Sequence, residues 1–157
     1  MQKNYFAQLA PDYVLIPQIG DDLGARLDYA LTTCLSDGFA RVVIMDSDSP
    51  SLPARCLVAA FAELERADVV LGQCDDGGYY LIGVKRPQPR LVRQVEMSTP
   101  NVLRDTLALA REENLRVALL ESWFDVDTVA ELEHLRADLC AAREDVAPHT
   151  RKFLMNR

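Results

Sequence analysis

The chain has 157 residues, of which 17 are Lys or Arg and 24 are Asp or Glu, so its formal net charge is −7 at neutral pH. This length suits one domain with a substantial hydrophobic core. An acidic chain without a basic cluster argues against nucleic acid as the main partner. The sequence opens with no basic-then-apolar leader, and no apolar run approaches the ~20 residues of a membrane helix. We therefore expect a cytoplasmic protein with no membrane span.

Apolar spacing along the chain alternates between the strand and the helix pattern. Strands are predicted over residues 13–17, 42–45, 68–72, 79–84 and 115–120. Helices are predicted over residues 23–35, 51–67, about 100–114 and 129–143. Asp21 or Asp22 can cap the first helix, and Thr128 and Glu131 have the spacing of a capping box at the last. We expect one domain over residues 1–143, followed by a polar C-terminal tail over residues 144–157.

Strands that alternate with helices favour an α/β fold, with a mostly parallel sheet in a three-layer α/β/α arrangement. The unbroken apolar run Val42–Met45 indicates a central strand covered on both faces. Right-handed crossovers would bring the strand ends after Met45 and Glu121 to the same side of the sheet. Open α/β sheets bind their ligands at the carboxyl ends of the strands.

Two pairs of acids with i, i+2 spacing follow these strands. Asp46 and Asp48 come directly after Met45, and Asp125 and Asp127 precede the last helix. Alternate residues of an extended chain point the same way, so each pair could face one spot. Clustered carboxylates repel each other unless a cation lies between them, and Mg²⁺ or Mn²⁺ suits oxygen ligands. The pattern indicates a metal site, while the alternative that these acids are ordinary turn and cap residues stays open.

Five sequence blocks, taken in order, resemble the DUF2064 family: GDDLGARL, MDSDSPSLP, GQCDDGGYYLIGV, the triplet Ser98–Pro100 and WFDVDT. The resemblance covers residues 5 to 140, and the DDGGYYLIG and DVDT blocks make it specific. Proteins of this family are predicted GT-A type glycosyltransferases, related to the guanylyltransferases that build coenzyme F420 precursors. The resemblance therefore implies a nucleotide-diphospho-sugar transferase fold that uses Mg²⁺ or Mn²⁺.

The same resemblance assigns residues to the metal and to catalysis. Asp48 matches the best-marked acid of the strand-end motif, whereas many relatives carry a non-acidic residue where Asp46 stands. Asp125 and Asp127 match the acids expected to complete the metal site. Asp48 and Asp76 are the catalytic carboxylates that the resemblance implies, and which carboxylate acts as a base stays open.

The substrate-binding residues that the resemblance implies lie on two loops. Gly77 and Gly78 belong to the loop expected to approach the acceptor or the sugar, since glycine lets backbone come close to a ligand. Tyr79 and Tyr80 alternate on the strand that follows, so one of them is expected to face the core and the other the rim of the pocket. Ser98 and Thr99 would offer hydroxyl or backbone donors to a phosphate or an acceptor; the substrate-binding residues are Gly77, Gly78, Tyr79, Ser98 and Thr99.

One block of the family is not matched. Family members usually begin with a strand and a Gly/Lys/Arg-containing loop that embraces the nucleotide, and the first block found here, PQIGDDLGARL, belongs downstream of that loop. The resemblance therefore implies an N-terminally truncated GT-A-like domain with an uncovered sheet edge. Such an edge favours pairing with another chain, so we hypothesise a homodimer.

Three functions are compatible with these observations. The first is a metal-dependent glycosyltransferase that uses a nucleotide-activated sugar and a small acceptor. The second is a nucleotidyltransferase on the same fold, which joins a nucleotide to a phosphorylated acceptor, and fold alone does not separate these two enzymes. The third is a non-catalytic binding or assembly module, which the unmatched nucleotide loop would favour.

Overall fold

The structure is a computed structural model, and it describes residues 2–155. Its centre is a four-stranded sheet made of β1 (Val42–Met45), β2 (Val69–Cys74), β3 (Tyr79–Val84) and β4 (Val117–Trp123). The strands lie in the order β1-β3-β2-β4. Four of the five predicted strands are therefore present, with ends that differ from the prediction by a few residues at most.

The sheet is mixed, so the prediction of a mostly parallel sheet was wrong. β3 runs antiparallel to both β1 and β2, whereas β2 and β4 form a parallel pair. The cause is the short turn Asp75–Gly78 between β2 and β3. Four residues can close a hairpin between antiparallel strands but cannot form the long crossover that parallel neighbours need.

Two further strand predictions were wrong. β1 is an edge strand among the described residues, because it pairs with β3 alone, and Met45 at its end is 41% exposed. Residues 13–17 form no strand, and Val14 within them is 88% exposed. A short apolar run becomes a strand only where a neighbour supplies hydrogen-bond partners for its backbone. None of the four described strands pairs with this run.

Within residues 2–155, seven helices accompany the sheet: α1 (Gln2–Leu9), α2 (Leu23–Ser36), α3 (Ala54–Glu63), α4 (Pro89–Arg93), α5 (Val102–Glu112), α6 (Val129–Ala141) and α7 (Pro148–Met155). Two of them begin at predicted caps. Asp22 accepts a hydrogen bond from the amide of Ala25 over 2.7 Å at the start of α2, and Thr128 and Glu131 form the predicted capping box at the start of α6. None of the helices described combines the length and the apolar character that a membrane crossing needs.

The segment predicted as a polar tail contains α7. Arg151 of this helix donates hydrogen bonds to the carbonyl oxygens of Ala142 and Arg143, over 3.2 and 2.8 Å. These carbonyls follow the last turn of α6, where backbone acceptors lack helical partners. α7 is thus tied to the end of α6, and the predicted domain limit at residue 143 stays a prediction.

Apolar side chains cover both faces of the sheet because successive residues of a strand point to opposite sides. Val69 and Leu71 of β2 belong to a buried cluster with residues of α2, α4 and α5. Val70, which lies between them, packs in a second cluster with residues of α3. The two clusters hold the sheet from either side, and the loops at its ends remain available for polar side chains.

Candidate functional site

Three chain reversals meet at one end of the sheet. Since β3 runs opposite to β1 and β2, and β4 runs parallel to β2, the carboxyl ends of β1, β2 and β4 lie at the same end. The reversals carry acids: Asp46 and Asp48 after β1, Asp76 in the β2–β3 hairpin, and Asp125 and Asp127 after β4. The amide of Val126 donates to the carbonyl oxygen of Asp48 over 3.1 Å, which joins the loop after β4 to the loop after β1.

The loops surround a cleft of about 820 Å³. Its volume lies within the range of pockets that hold small-molecule ligands. Five carboxylates line the cleft: Asp46, Asp48, Asp76, Asp125 and Asp127. Asp75 precedes Asp76 in the turn but does not line the cleft. Its carboxylate accepts a hydrogen bond from the hydroxyl of Ser122. The structure therefore brings acids from the middle and the far end of the chain to one cavity.

Asp46 directly follows β1 and is partly buried. Burial raises the pKa of Asp46 to about 6, and the nearby charges of Asp48 and Asp125 add to the rise. Ser49 Oγ donates a hydrogen bond to Asp46 Oδ2 over 2.7 Å and opposes this shift. Asp46 Oδ1 is buried and has no hydrogen-bond partner within residues 2–155. A buried oxygen without a partner, close to other carboxylates, suits a hard divalent cation.

Asp125 lies close to acids of both other loops, Asp48 and Asp76. Its pKa is raised by burial, and then by the charges of Asp76, Asp127 and Asp48. One oxygen of Asp125, one oxygen of Asp76 and Cys74 Sγ all lie within 4.8 Å of one another. Three potential ligand atoms at these separations could share one metal ion.

Cys74 is the member of this group that sequence reasoning did not include. It is the last residue of β2, directly before the acidic turn, and that position was the available signal. Burial, followed by the charges of Asp125 and Asp76, raises the pKa of the Cys74 thiol to about 12. The thiol is therefore protonated at neutral pH and is not an activated nucleophile. The other predicted metal ligands line the cleft outside this close group: Asp46, Asp48 and Asp127.

The β2–β3 hairpin is fixed against the turn that precedes α5. Gly77 has a φ of +95°, which glycine adopts without a Cβ clash. A Cβ on Gly77 would lie 2.1 Å from the carbonyl oxygen of Pro100, so the two backbones are in direct contact. The Gly77 carbonyl also accepts a hydrogen bond from the amide of Leu103 over 3.0 Å. Asp76 Oδ1 accepts another from the amide of Gly78 over 2.8 Å, so the carboxylate is held within the turn.

Comparisons with known proteins agree with this architecture. Residues 1–99 match the family model described as "Uncharacterized protein conserved in bacteria (DUF2064)". The chain belongs to the DUF2064 family. Among solved structures, a protein from Desulfovibrio desulfuricans G20 named "putative nucleotide-diphospho-sugar transferase" is similar with a TM-score of 0.87 at 30% sequence identity, over 97% of this chain and 68% of that one. No match was found among curated proteins.

In this DUF2064 chain, four of the five predicted substrate-binding residues line the cleft: Gly78, Tyr79, Ser98 and Thr99. Gly77 is not part of the cleft wall, and its contact with Pro100 accounts for the glycine at this position. Ser98 has a φ of +60°, which is uncommon for a residue with a side chain. The Thr99 hydroxyl donates to the carbonyl oxygen of Glu96 over 3.0 Å, so its proton holds the loop, while its oxygen can still accept a hydrogen bond.

Both tyrosines of the DDGGYY block are turned to the interior. Burial raises the pKa of Tyr79 to about 12, and its hydroxyl lies 3.9 Å from Met97 Sδ. Tyr80 is 1% exposed, and its hydroxyl donates to the carbonyl oxygen of Glu121 over 3.1 Å. The two rings contribute to the floor of the cleft, but protein groups already occupy both hydroxyls.

An aromatic stack precedes Asp125. The rings of Trp123 and Phe124 are 6.0 Å apart at 17°, and those of Phe124 and His134 are 4.4 Å apart at 19°. Trp123 Nε1 donates to Ser51 Oγ over 3.3 Å. These contacts connect the end of β4 to α6 and to the loop before α3. The DUF2064 chain thus places Asp125 on a segment whose side chains are packed on both sides.

Proposed function

We propose that this chain is a metal-dependent glycosyltransferase domain that uses a nucleotide-activated sugar and a small acceptor. The observation that carries the proposal is the convergence of five carboxylates from three separate chain reversals on one cleft. The similarity to a protein named as a nucleotide-diphospho-sugar transferase supports the same reaction class. Acids that only capped helices or closed turns would have no reason to face one cavity, where their charges repel.

Asp46, Asp48, Asp125 and Asp127 would hold Mg²⁺ or Mn²⁺. The donor set fits such an ion because it consists of carboxylate oxygens, one of which, Asp46 Oδ1, is buried without a partner in the part of the chain described. A divalent ion at this place would neutralise the diphosphate leaving group of the sugar donor. The hydrogen bond from Val126 to Asp48 joins the two acidic loops, which would help to position their carboxylates around one ion.

The acceptor would bind on the hairpin side of the cleft. Asp76 is held there by the Gly78 amide and by the contact between Gly77 and Pro100. Asp76 and Asp48 are the carboxylates that could accept a proton from an acceptor hydroxyl as it attacks. Ser98, across the hairpin, offers a hydroxyl for which no partner is found among the described residues, so it can bind a phosphate or an acceptor oxygen.

Calorimetric titration with Mn²⁺ tests the metal site. Asp48→Asn and Asp127→Asn should each weaken Mn²⁺ binding at least about tenfold, because each removes a charged ligand from the cleft. Asp75→Asn is the matched control, since Asp75 lies in the same acidic turn but faces Ser122 and should leave the affinity unchanged. Equal affinity in all four proteins would remove the metal claim.

A second titration identifies the reaction. UDP-, GDP- and CDP-sugars, added with and without Mn²⁺, should show binding that depends on the ion. Product analysis then separates the two enzymes. A glycosyltransferase transfers the sugar to an added acceptor and releases a nucleoside diphosphate, whereas a nucleotidyltransferase, supplied with pyrophosphate, converts the nucleotide sugar to a nucleoside triphosphate and a sugar phosphate. Absence of binding across the panel, with intact Mn²⁺ affinity, would leave the non-catalytic module as the function.

A further inference from the structure

One cysteine of the cleft has a buried thiol without a hydrogen-bond partner. Cys74 ends β2, lines the cleft and is 7% exposed. Within residues 2–155, no group donates a hydrogen bond to its Sγ atom or accepts one from it. Cys56 differs, because its buried thiol donates to Glu121 Oε1 over 3.2 Å. A buried cysteine usually behaves as a small apolar residue among others, whereas Cys74 also has carboxylates near its sulfur atom.

Two carboxylates complete a set of three donor atoms. Cys74 Sγ, one oxygen of Asp76 and one oxygen of Asp125 lie within 4.8 Å of one another. The ligand atoms of a tetrahedral zinc ion are about 3.3–3.8 Å apart, since the bonds to oxygen and sulfur are about 2.0–2.3 Å long. Each pair of donor atoms therefore needs to approach by at most about 1.5 Å, which rotation of the two aspartate side chains can supply.

The backbone around these donor atoms is already connected. The amide of Asp75 donates to the carbonyl oxygen of Trp123 over 3.2 Å, which joins the β2–β3 hairpin to the end of β4, two residues before Asp125. Asp76 Oδ1 accepts a hydrogen bond from the amide of Gly78 over 2.8 Å. Carboxylates that bind metal ions are commonly oriented by such hydrogen bonds. The three donor atoms are thus brought together by the fold itself.

We infer that Cys74, Asp76 and Asp125 form a binding site for a thiophilic divalent ion, of which Zn²⁺ and Cd²⁺ are examples. A sulfur ligand selects such ions, whereas Mg²⁺ and Mn²⁺ prefer oxygen ligands alone. Zinc accepts three protein ligands and one water in a tetrahedral arrangement, and the exposed side chain of Asp76 leaves the fourth position open to solvent. Binding forms the bond between the metal and sulfur and releases the thiol proton to solvent.

This site overlaps the proposed transferase site without depending on it. Asp125 is the one ligand that it shares with the proposed Mg²⁺ or Mn²⁺ site, and the sulfur atom belongs to the thiophilic site alone. One consequence does rest on the proposed function. An ion bound to Asp76 prevents this carboxylate from accepting a proton from an acceptor hydroxyl, so Zn²⁺ and Cd²⁺ should inhibit the transfer.

Ultraviolet absorption during a titration with Cd²⁺ tests the inference. Thiolate bound to Cd²⁺ gives a charge-transfer band that carboxylate-bound Cd²⁺ lacks, so the band reports the sulfur ligand. The reduced, unmodified chain should show this band, and it should saturate at equimolar Cd²⁺. Cys74→Ser and Cys74→Ala should both lose it. Cys140→Ser, which removes an exposed thiol of α6, is the matched control and should keep it.

A pair of variants in the hairpin tests the oxygen ligands. Asp76→Asn should weaken Cd²⁺ binding at least about tenfold, because it removes a charged ligand. Asp75→Asn is the matched control, since the carboxylate of Asp75 accepts a hydrogen bond from Ser122 and is not one of the three ligands. Equal Cd²⁺ affinity in these two variants would overturn the assigned set of ligands.

Two further measurements keep the outcomes distinct. The fluorescence of Trp123 in urea shows whether the Cys74 variants are folded, and their Mn²⁺ affinity should be unchanged, because the proposed Mn²⁺ ligands are all oxygens. A Cd²⁺ band in a chain that binds no Mn²⁺ would refute the metal site of the proposed function and support the thiophilic site. Absence of the band in the unmodified chain, or a band that survives in both Cys74 variants, would overturn the inference.

Discussion

The contact between Gly77 and Pro100 makes a quantitative prediction about the hairpin that carries Asp76. Replacement of Gly77 by Ala adds a Cβ 2.1 Å from the Pro100 carbonyl oxygen, well inside van der Waals contact. The obstacle is backbone, so no side-chain rotation relieves it. The hairpin must move away from the turn before α5, and the hydrogen bond between Leu103 and Gly77 must lengthen.

Gly38 separates the two costs of this substitution. Gly38 has a φ of +98°, almost that of Gly77, but a Cβ there would meet no atom within 4 Å. Gly38→Ala should therefore lower the free energy of unfolding by about 1–2 kcal/mol, which is the cost of a left-handed backbone for a residue with a Cβ. Gly77→Ala carries the same backbone cost and a further 1–3 kcal/mol, approximately, from overpacking.

Urea denaturation measures both variants. Trp123 is the one tryptophan of the sequence and reports unfolding by its fluorescence. The midpoint for Gly77→Ala should fall clearly below that for Gly38→Ala at an unchanged denaturant slope. Mn²⁺ affinity should also fall in Gly77→Ala alone, because Asp76, whose negative charge lies close to the proposed ligand Asp125, moves with the hairpin. Equal losses of stability in the two variants would refute the contact as described.

Three further predictions concern single side chains. Burial raises the pKa of Asp46 from 3.8 to about 6, so ionisation of Asp46 progressively destabilises the folded chain as the pH rises between these two values. In the absence of divalent ions, Asp46→Asn should therefore be more stable than the unmodified chain in urea denaturation at pH 7. The two proteins should be equally stable near pH 3.5, and equal stability at both pH values would contradict the raised pKa. Thr128→Ala should cost about 1 kcal/mol in urea denaturation, because the capping box with Glu131 is lost, and no change would argue against that cap. Tyr80→Phe should lower the free energy of unfolding by about 1 kcal/mol in the same assay, since the carbonyl of Glu121 loses its hydrogen-bond donor. An unchanged free energy would argue against this hydrogen bond as a source of stability.

Features with local causes could be predicted from the sequence. The cap at Asp22 and the capping box at Thr128 depend on side chains that bond to amides three residues away, so spacing alone reveals them. The turn Asp75–Gly78 was equally visible, because adjacent glycines interrupt both helix and strand. The acidic pairs at the ends of β1 and β4 could also be recognised, because each pair comes shortly after an apolar run of the sequence.

Features that depend on distant partners could not be predicted in this way. Val42–Met45 has the composition of a central strand, yet its place in the sheet is set by which strands pair with it. Cys74 lies close to Asp125 because β2 and β4 pair in parallel, which places the carboxyl ends of the two strands side by side. Composition indicates that a residue is buried, but the sheet order decides which residues it is buried against.

The reversed strand β3 also explains the composition of the cleft. β3 begins at Tyr79, at the end of the sheet where β1 and β4 finish, so the residues that follow the hairpin stay on the cleft. In a parallel β3, Tyr79 would start at the opposite end, about 20 Å away for a strand of this length. It could not then share a cavity with Asp46 and Asp125. The four-residue turn between β2 and β3 thus explains two findings. It makes β3 antiparallel, against the prediction, and it brings Tyr79 to the same cleft as Asp46 and Asp125.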